Sequence, residues 1–295
     1  MKTLDYQPTV TRADCVRLTT QLTHAATLAD AADMVDAWAV AVPFTSHWRR
    51  FAHKLAAALR DSRAAFPIIA MQGNTKLPFA AFSALPGRIA DGGTCDSAGE
   101  CLGWCYSYRA WRYPAAFFRQ VQNTLLLRFA HRLIRDAFLA LPQSITFRLY
   151  VDGDFNSIGT ATLWFNLLRV RPDIQCYGYS KSWDILAAYH RVFGIPPNYM
   201  LNLSSGGTVQ RIDKAAMLAL PFVRGEFIAV PLSRKHSKGF KRYTEHDYHV
   251  DVVQAARANG IRAFSCPGQC GACSKHGHAC GSTRFTKLTI AIGIH

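Results

Sequence analysis

Seven of the nine cysteines in this 295-residue chain fall into two groups, and grouped thiols are its side chains best suited to chemistry. Cys95, Cys101 and Cys105 form the first group, with five and three residues between successive thiols in TCDSAGECLGWCYSY. Cys266, Cys270, Cys273 and Cys280 form the second, spaced by three, two and six residues in SCPGQCGACSKHGHACG. Thiolates are soft ligands that select iron-sulfur clusters or zinc. Glycines at 92, 93, 99 and 103 and at 268, 271, 277 and 281 let each loop wrap a small inorganic centre. The three-then-two spacing of Cys266, Cys270 and Cys273 is one used on cubane clusters, so a 4Fe-4S cluster is expected. Zinc is the rival, with Cys266, Cys270 and Cys273 completed by Cys280, His276 or His278. Cys15 and Cys176 stand alone and read as buried small hydrophobes.

Polar residues after apolar runs form a second set of candidates. Asp152, Gly153 and Asp154 follow one such run; Ser180 and Lys181 follow another; Ser204 follows a third; Asn74 and Lys76 follow the first. In βα architectures the loops after the strands gather on one face, where ligands bind. Asp154 and Lys181 are accordingly the catalytic candidates. Asn74, Lys76, Gly153, Ser180 and Ser204 are the cofactor-binding ones, through backbone amides and hydroxyls. Helix capping is the competing use for Asp154 and the serines.

The elements that must position these groups follow from periodicity. Residues 16–60 carry helical signals interrupted near Pro43, which predicts a helical N-terminal segment over 1–65. From 66 onward short β-branched and aromatic runs alternate with amphipathic ones, predicting one domain over 66–295. Strands are expected at 66–71, 145–151, 174–179, 199–203, 226–230, 261–265 and 286–292. Helices are expected at 114–141, 159–169, 183–193, 209–219 and 247–259. That order predicts an α/β fold with a largely parallel sheet or partial (β/α) barrel.

Composition narrows the class of protein. A hydrophobic fraction of 49% supports a sizeable core and argues against disorder. No run of about twenty apolar residues occurs, and the N-terminus lacks a secretory pattern, so no membrane insertion and a cytoplasmic location are expected. In that reducing compartment metal ligation explains grouped thiols better than disulfides do. The formal net charge of +15 favours polyanionic partners, nucleic acid first. The basic run at 234–242 reads as a loop, and Arg109, Arg112, Lys275 and Arg284 are candidates to offset the charge of a cluster.

Several segments together resemble the phage and plasmid family called gene product 88: NTKLPFAAFSALPG, the cysteine loop ending in Cys105-Tyr106, the Gly153-Asp154-Phe155 turn, the Tyr179-Ser180-Lys181-Ser182-Trp183 turn and the late cysteine loop. The resemblance spans about 66–295. The same order of motifs is similar to radical S-adenosylmethionine enzymes, which implies a radical-SAM-like partial barrel, a 4Fe-4S cluster and S-adenosylmethionine as a possible cofactor. Those enzymes space three early cysteines by three and two, whereas here that spacing occurs in the late loop. Extra thiol ligands would close the coordination sphere and leave a structural or electron-transfer cluster. Three functions therefore stay open. One is a mobile-element iron-sulfur protein acting on or near nucleic acid. Another is a non-catalytic fertility-inhibition or conjugation-control factor that binds conjugation or replication machinery. The third is a zinc-stabilised nucleic-acid-binding protein.

Overall fold

The computed structural model describes residues 10–41, 46–71, 78–232, 244–270, 273, 279–282 and 288–294. Within them the chain is a mixed α/β protein built on one eight-stranded sheet. Strands β1 (Ile69–Ala70) and β2 (Ala80–Phe82) pair antiparallel. From β2 the sheet runs parallel through β3 (Thr146–Leu149), β4 (Gln175–Ser180), β5 (Tyr199–Ser204) and β6 (Val223–Pro231). It continues through β8 (Thr289–Ile294) to β7 (Ala263–Ser265) at the far edge. No helix among the described residues is long and apolar enough to cross a membrane.

Alternation along the strands divides the sheet into two faces. Phe147, Leu149, Cys176, Leu201 and Leu203 point to one face and build the main core. Helices α6 (His131–Leu139), α7 (Ile158–Val170), α8 (Trp183–Phe193) and α9 (Lys214–Leu218) cover that core. Helix α10 (Glu245–Ala258) covers a smaller core on β6 and β8 through Val252 and Ala256. The opposite face carries Tyr177, Tyr179, Met200, Phe227 and Ile290, and its cover is the late cysteine loop. On that face Arg148 lies opposite Tyr177 in the register, and Tyr179 lies opposite Asn202.

The N-terminal helices α1 (Arg12–Leu22), α2 (Leu28–Ala41) and α3 (Ser46–Arg60) share a second core with α5 (Pro114–Phe129). Phe118 meets both Trp38 and Phe117 there edge to face. The polar residues Gln122 and Asn123 of α5 are buried, and both bond to main chain. Gln122 Oε1 accepts from the Ala65 and Phe66 amides, and Asn123 Nδ2 donates to the Ile68 and Ser83 carbonyls. Asn123 thus ties the helical layer to the loops beside β1 and β2. Asn123→Ala is expected to cost about 2–3 kcal/mol, because two buried carbonyls lose their donor. Chemical denaturation checks this, and a loss below about 0.5 kcal/mol would contradict it.

Most predicted elements are present, and the differences have physical causes. The helix expected at 114–141 breaks at Ala130, whose φ of −145° and ψ of 54° turn the chain between α5 and α6. The break separates a helix shared by two cores from one whose buried residues, Ile134 and Phe138, face the sheet alone. The helix expected at 209–219 is reduced to α9, which starts at its Asp213 cap. The preceding residues are held in a loop because the Arg211 and Ile212 amides donate to Asp184. Strand β2 was not expected: its Ala-Ala-Phe is buried on both faces and carries no alternation.

Candidate metal centre

The first cysteine loop lies over the C-terminal ends of β3, β4 and β5. It enters through Thr94, whose hydroxyl donates to the Leu85 carbonyl and accepts from the Asp154 amide. It closes on the loop after β5, where the Gly99 and Cys101 amides both donate to the Gly206 carbonyl. Gly206 has φ +79°, and a Cβ there would stand 2.9 Å from that of Cys101. Only glycine lets the two loops approach this closely.

Beneath the loop, Asp154 is buried and accepts from three donors. Ser180 Oγ and the Phe155 amide donate to Oδ1 at 2.6 and 2.8 Å, and the Lys181 amide donates to Oδ2 at 2.8 Å. Burial raises the Asp154 pKa, and the Ser180 and Lys181 hydrogen bonds hold that rise in check. Lys181 Nζ reaches across to Ser204 Oγ at 2.9 Å. Burial pushes the Cys95 and Cys101 thiols up, Lys181 pulls both down, and Cys105 and Asp154 act on both. Cys95, Cys101, Cys105, Asp154 and Lys181 therefore form one electrostatic unit, with Gly153, Ser180 and Ser204 in the supporting turns. Asn74 and Lys76 lie outside the described residues, as do the basic run at 234–242, His276, His278, Lys275 and Arg284.

The late loop starts where β7 ends and crosses the face of the sheet opposite the main core. The Cys266 amide donates to the Ala291 carbonyl, and Asn202 Nδ2 donates to the Cys280 carbonyl at 2.9 Å. Cys266 and Cys273 pack with Cys280 against Tyr177 and Tyr179. The Tyr179 hydroxyl hydrogen-bonds to the Cys280 sulfur, and Cys270 lies beside Tyr177. Backbone amides point at two sulfurs, Gly268 at Cys266 and Ala279 at Cys273, each at 3.4 Å. Burial pushes Cys266 up to about 11 and Cys280 up to about 12, so both thiols are neutral without a bound cation. Cys266 senses Cys270 and Cys273, and Cys280 senses Cys266.

Arg148 and Arg224 are site residues that sequence reasoning missed. Arg224 is buried and donates through Nε to Asn202 Oδ1. Arg148 is half-buried, and its guanidinium carbon sits 4.8 Å from the centroid of the Tyr179 ring. Its Nε is closed off from solvent and has no hydrogen-bond partner among the described residues. Burial opposes the charge of Arg148, yet Tyr106, Tyr179, Tyr177 and Cys270 outweigh it and raise its pKa. The signal in sequence was one arginine at a sheet-facing position within an apolar strand, Phe-Arg-Leu. Arg109 and Arg112, two of the residues expected to offset a cluster, are exposed.

Tyr106 and Arg148 link the two groups electrostatically: Cys105 and Arg148 both act on Tyr106, and Cys270 acts on Arg148. Among the described residues, no three or more His, Cys, Asp and Glu side chains form a ready metal-binding group. Binding would have to draw the thiols closer together, releasing their protons. The two solitary cysteines are buried, and burial, with the Asp14 carboxylate beside it, pushes Cys15 up to about 12. Thiol-reagent titration is expected to leave Cys15 and Cys176 unmodified in the folded protein and to label both after denaturation. Labelling of either at native conditions would contradict that burial.

A family model described as gene product 88 matches residues 52–287 of the chain. No curated protein and no solved structure matches it.

Proposed function

We propose, from the premise that this chain belongs to the gene product 88 family, that it is a cytoplasmic iron-sulfur protein of a phage or plasmid acting on or near nucleic acid. The observation that carries this reading is the four-thiol late loop set against Arg148, whose shielded Nε lacks a partner among the described residues. A guanidinium in that position calls for an anion, and a thiolate-ligated cluster is a compact anion. The Gly268 and Ala279 amides directed at sulfur are the donors that such a ligand set uses.

The first loop supports the finer part of the reading. Cys95, Cys101 and Cys105 would hold three corners of a 4Fe-4S cluster, and their place at the C-terminal ends of parallel strands suits a radical-SAM-like partial barrel. Such a cluster, when bound, supplies one-electron chemistry and an open iron for the methionyl group of S-adenosylmethionine. The chain's own residues do the rest. Lys181 sets a cation beside Cys95 and Cys101, and Asp154 fixes the backbone of Lys181 through its amide. Gly153, Ser180 and Ser204 hold the surrounding turns, with Asn74 and Lys76 proposed to join them.

A non-catalytic reading draws on a different observation. Asn202 and Tyr179 bind the late loop directly to the sheet, as a metal that only fastens loops would require. In that case the protein is a fertility-inhibition or conjugation-control factor, with zinc as the alternative metal.

Anaerobic purification followed by metal and sulfide analysis tests the reading. Brown protein with iron and acid-labile sulfide in equal amounts is expected; colourless protein with zinc and no sulfide would overturn it. Reductive cleavage of S-adenosylmethionine by the brown protein would establish the enzyme, and its absence would favour the fastening role.

A further inference from the structure

We infer that Tyr106, Arg109, Arg112 and Tyr113 form a docking stripe for single-stranded nucleic acid beside the first cysteine loop. The inference rests on the reading above that the protein acts on nucleic acid, and it names the surface that would do so. From 106 to 113 the backbone runs as consecutive turns: the Arg109 amide donates to the Tyr106 carbonyl, that of Trp111 to Tyr108 and that of Tyr113 to Ala110. Helix α4 (Ser107–Ala110) is the regular part of this run. With about three residues per turn, one side is buried at Ser107, Trp111 and Pro114. The other side exposes Tyr106, Arg109, Arg112 and Tyr113.

The two tyrosines are 55% and 60% exposed, so both rings are open to stacking. Tyr106 is nevertheless fixed, because its hydroxyl donates to the Val151 carbonyl while the ring stays open. The Arg112 guanidinium carbon lies 5.8 Å from the centroid of the Tyr113 ring. Charge in this region has one sign: between Glu100 and Asp136 the chain holds six arginines and no acidic residue. The nearby Asp152 is half-buried, accepts from Gln120 and acts on Arg119. The exposed acids of the cysteine loop, Asp96 and Glu100, precede the stripe and do not interrupt it.

Two cations flanked by open rings suit an unpaired strand, with phosphates neutralised by arginine and bases stacked on tyrosine. A duplex keeps its bases stacked and leaves the rings unused. An acidic polypeptide would satisfy the arginines but not the rings. The stripe is about 10–14 Å long, the reach of two or three nucleotides, and it ends next to Cys105. A bound strand would be delivered to the three-thiol loop.

Anisotropy titration of the full chain, purified anaerobically, tests this with labelled single-stranded DNA and RNA oligonucleotides, a duplex of equal length and polyglutamate, at two salt concentrations. The single strands are expected to bind tightest. Tyr113→Ala should weaken them about tenfold or more, and Tyr113→Phe should not. The pair Arg109→Ala and Arg112→Ala should reduce the logarithmic salt slope by about two. Wild-type protein that binds single strands while all these variants bind equally well would overturn the stripe and leave the nucleic-acid reading standing. Wild-type protein that binds no nucleic acid at low salt would overturn both. Tighter binding of polyglutamate, lost in the same arginine pair, would assign the stripe to a protein partner and overturn the inference.

Discussion

Asp154→Ala is expected to lower unfolding free energy by about 3–5 kcal/mol, one of the two largest effects of any substitution considered for this chain. Three donors converge on this buried carboxylate: the Ser180 hydroxyl and the Phe155 and Lys181 amides. Each loses its partner in the alanine variant, and water does not readily replace a group that is 4% exposed. The Asp154 amide also donates to Thr94, the residue before Cys95, so the damage would spread to the first cysteine loop. Asp154→Asn keeps the shape but turns one acceptor into a donor, and about half the loss is expected. Denaturant unfolding measures both. A loss below about 1 kcal/mol in the alanine variant would mean that the carboxylate does not hold these turns together.

The second large effect is expected from the paired substitution Cys273→Ser and Cys280→Ser. Under the iron-sulfur reading it removes two ligands of the late centre, and the protein should lose that centre's iron with a fall in Tm of about 5–10 °C. The late loop is the apolar cover of Tyr177, Tyr179, Phe227 and Ile290, so loosening it exposes a whole face of the sheet. Arg148→Gln separates ligation from charge. That variant should keep its iron, because it touches no thiol, and its late centre should have a more negative midpoint potential, because a cation that favours the reduced cluster is gone. Unchanged Tm and metal content in the cysteine pair would contradict the assignment of the late loop as a ligand set.

Much of this arrangement was legible in the sequence because it depends on local pattern. Helix α8 runs from Trp183 to Phe193, as its periodicity predicts, and strands β3 to β5 fall within a residue or two of the β-branched and aromatic runs. The convergence of Asp154, Ser180, Lys181 and Ser204 was also legible, since residues after adjacent parallel strands must meet at one edge. What stayed hidden depends on tertiary context. The Ala-Ala-Phe of β2 has no strand signature of its own, and the apolar rhythm of α5 and α6 continues through the break at Ala130. Arg148 looks like an ordinary surface cation until the sheet turns it toward the late cysteines, whereas Arg109 and Arg112, close to the first loop in sequence, face outward.

The most direct test of the central claim is the metal content of a variant in which Cys95, Cys101 and Cys105 are all serine, purified anaerobically. If the late loop holds its own cluster beneath Arg148, this protein retains iron and acid-labile sulfide in equal amounts. If it contains neither, or contains zinc in their place, Cys266, Cys270, Cys273 and Cys280 are not the ligands of an iron-sulfur centre.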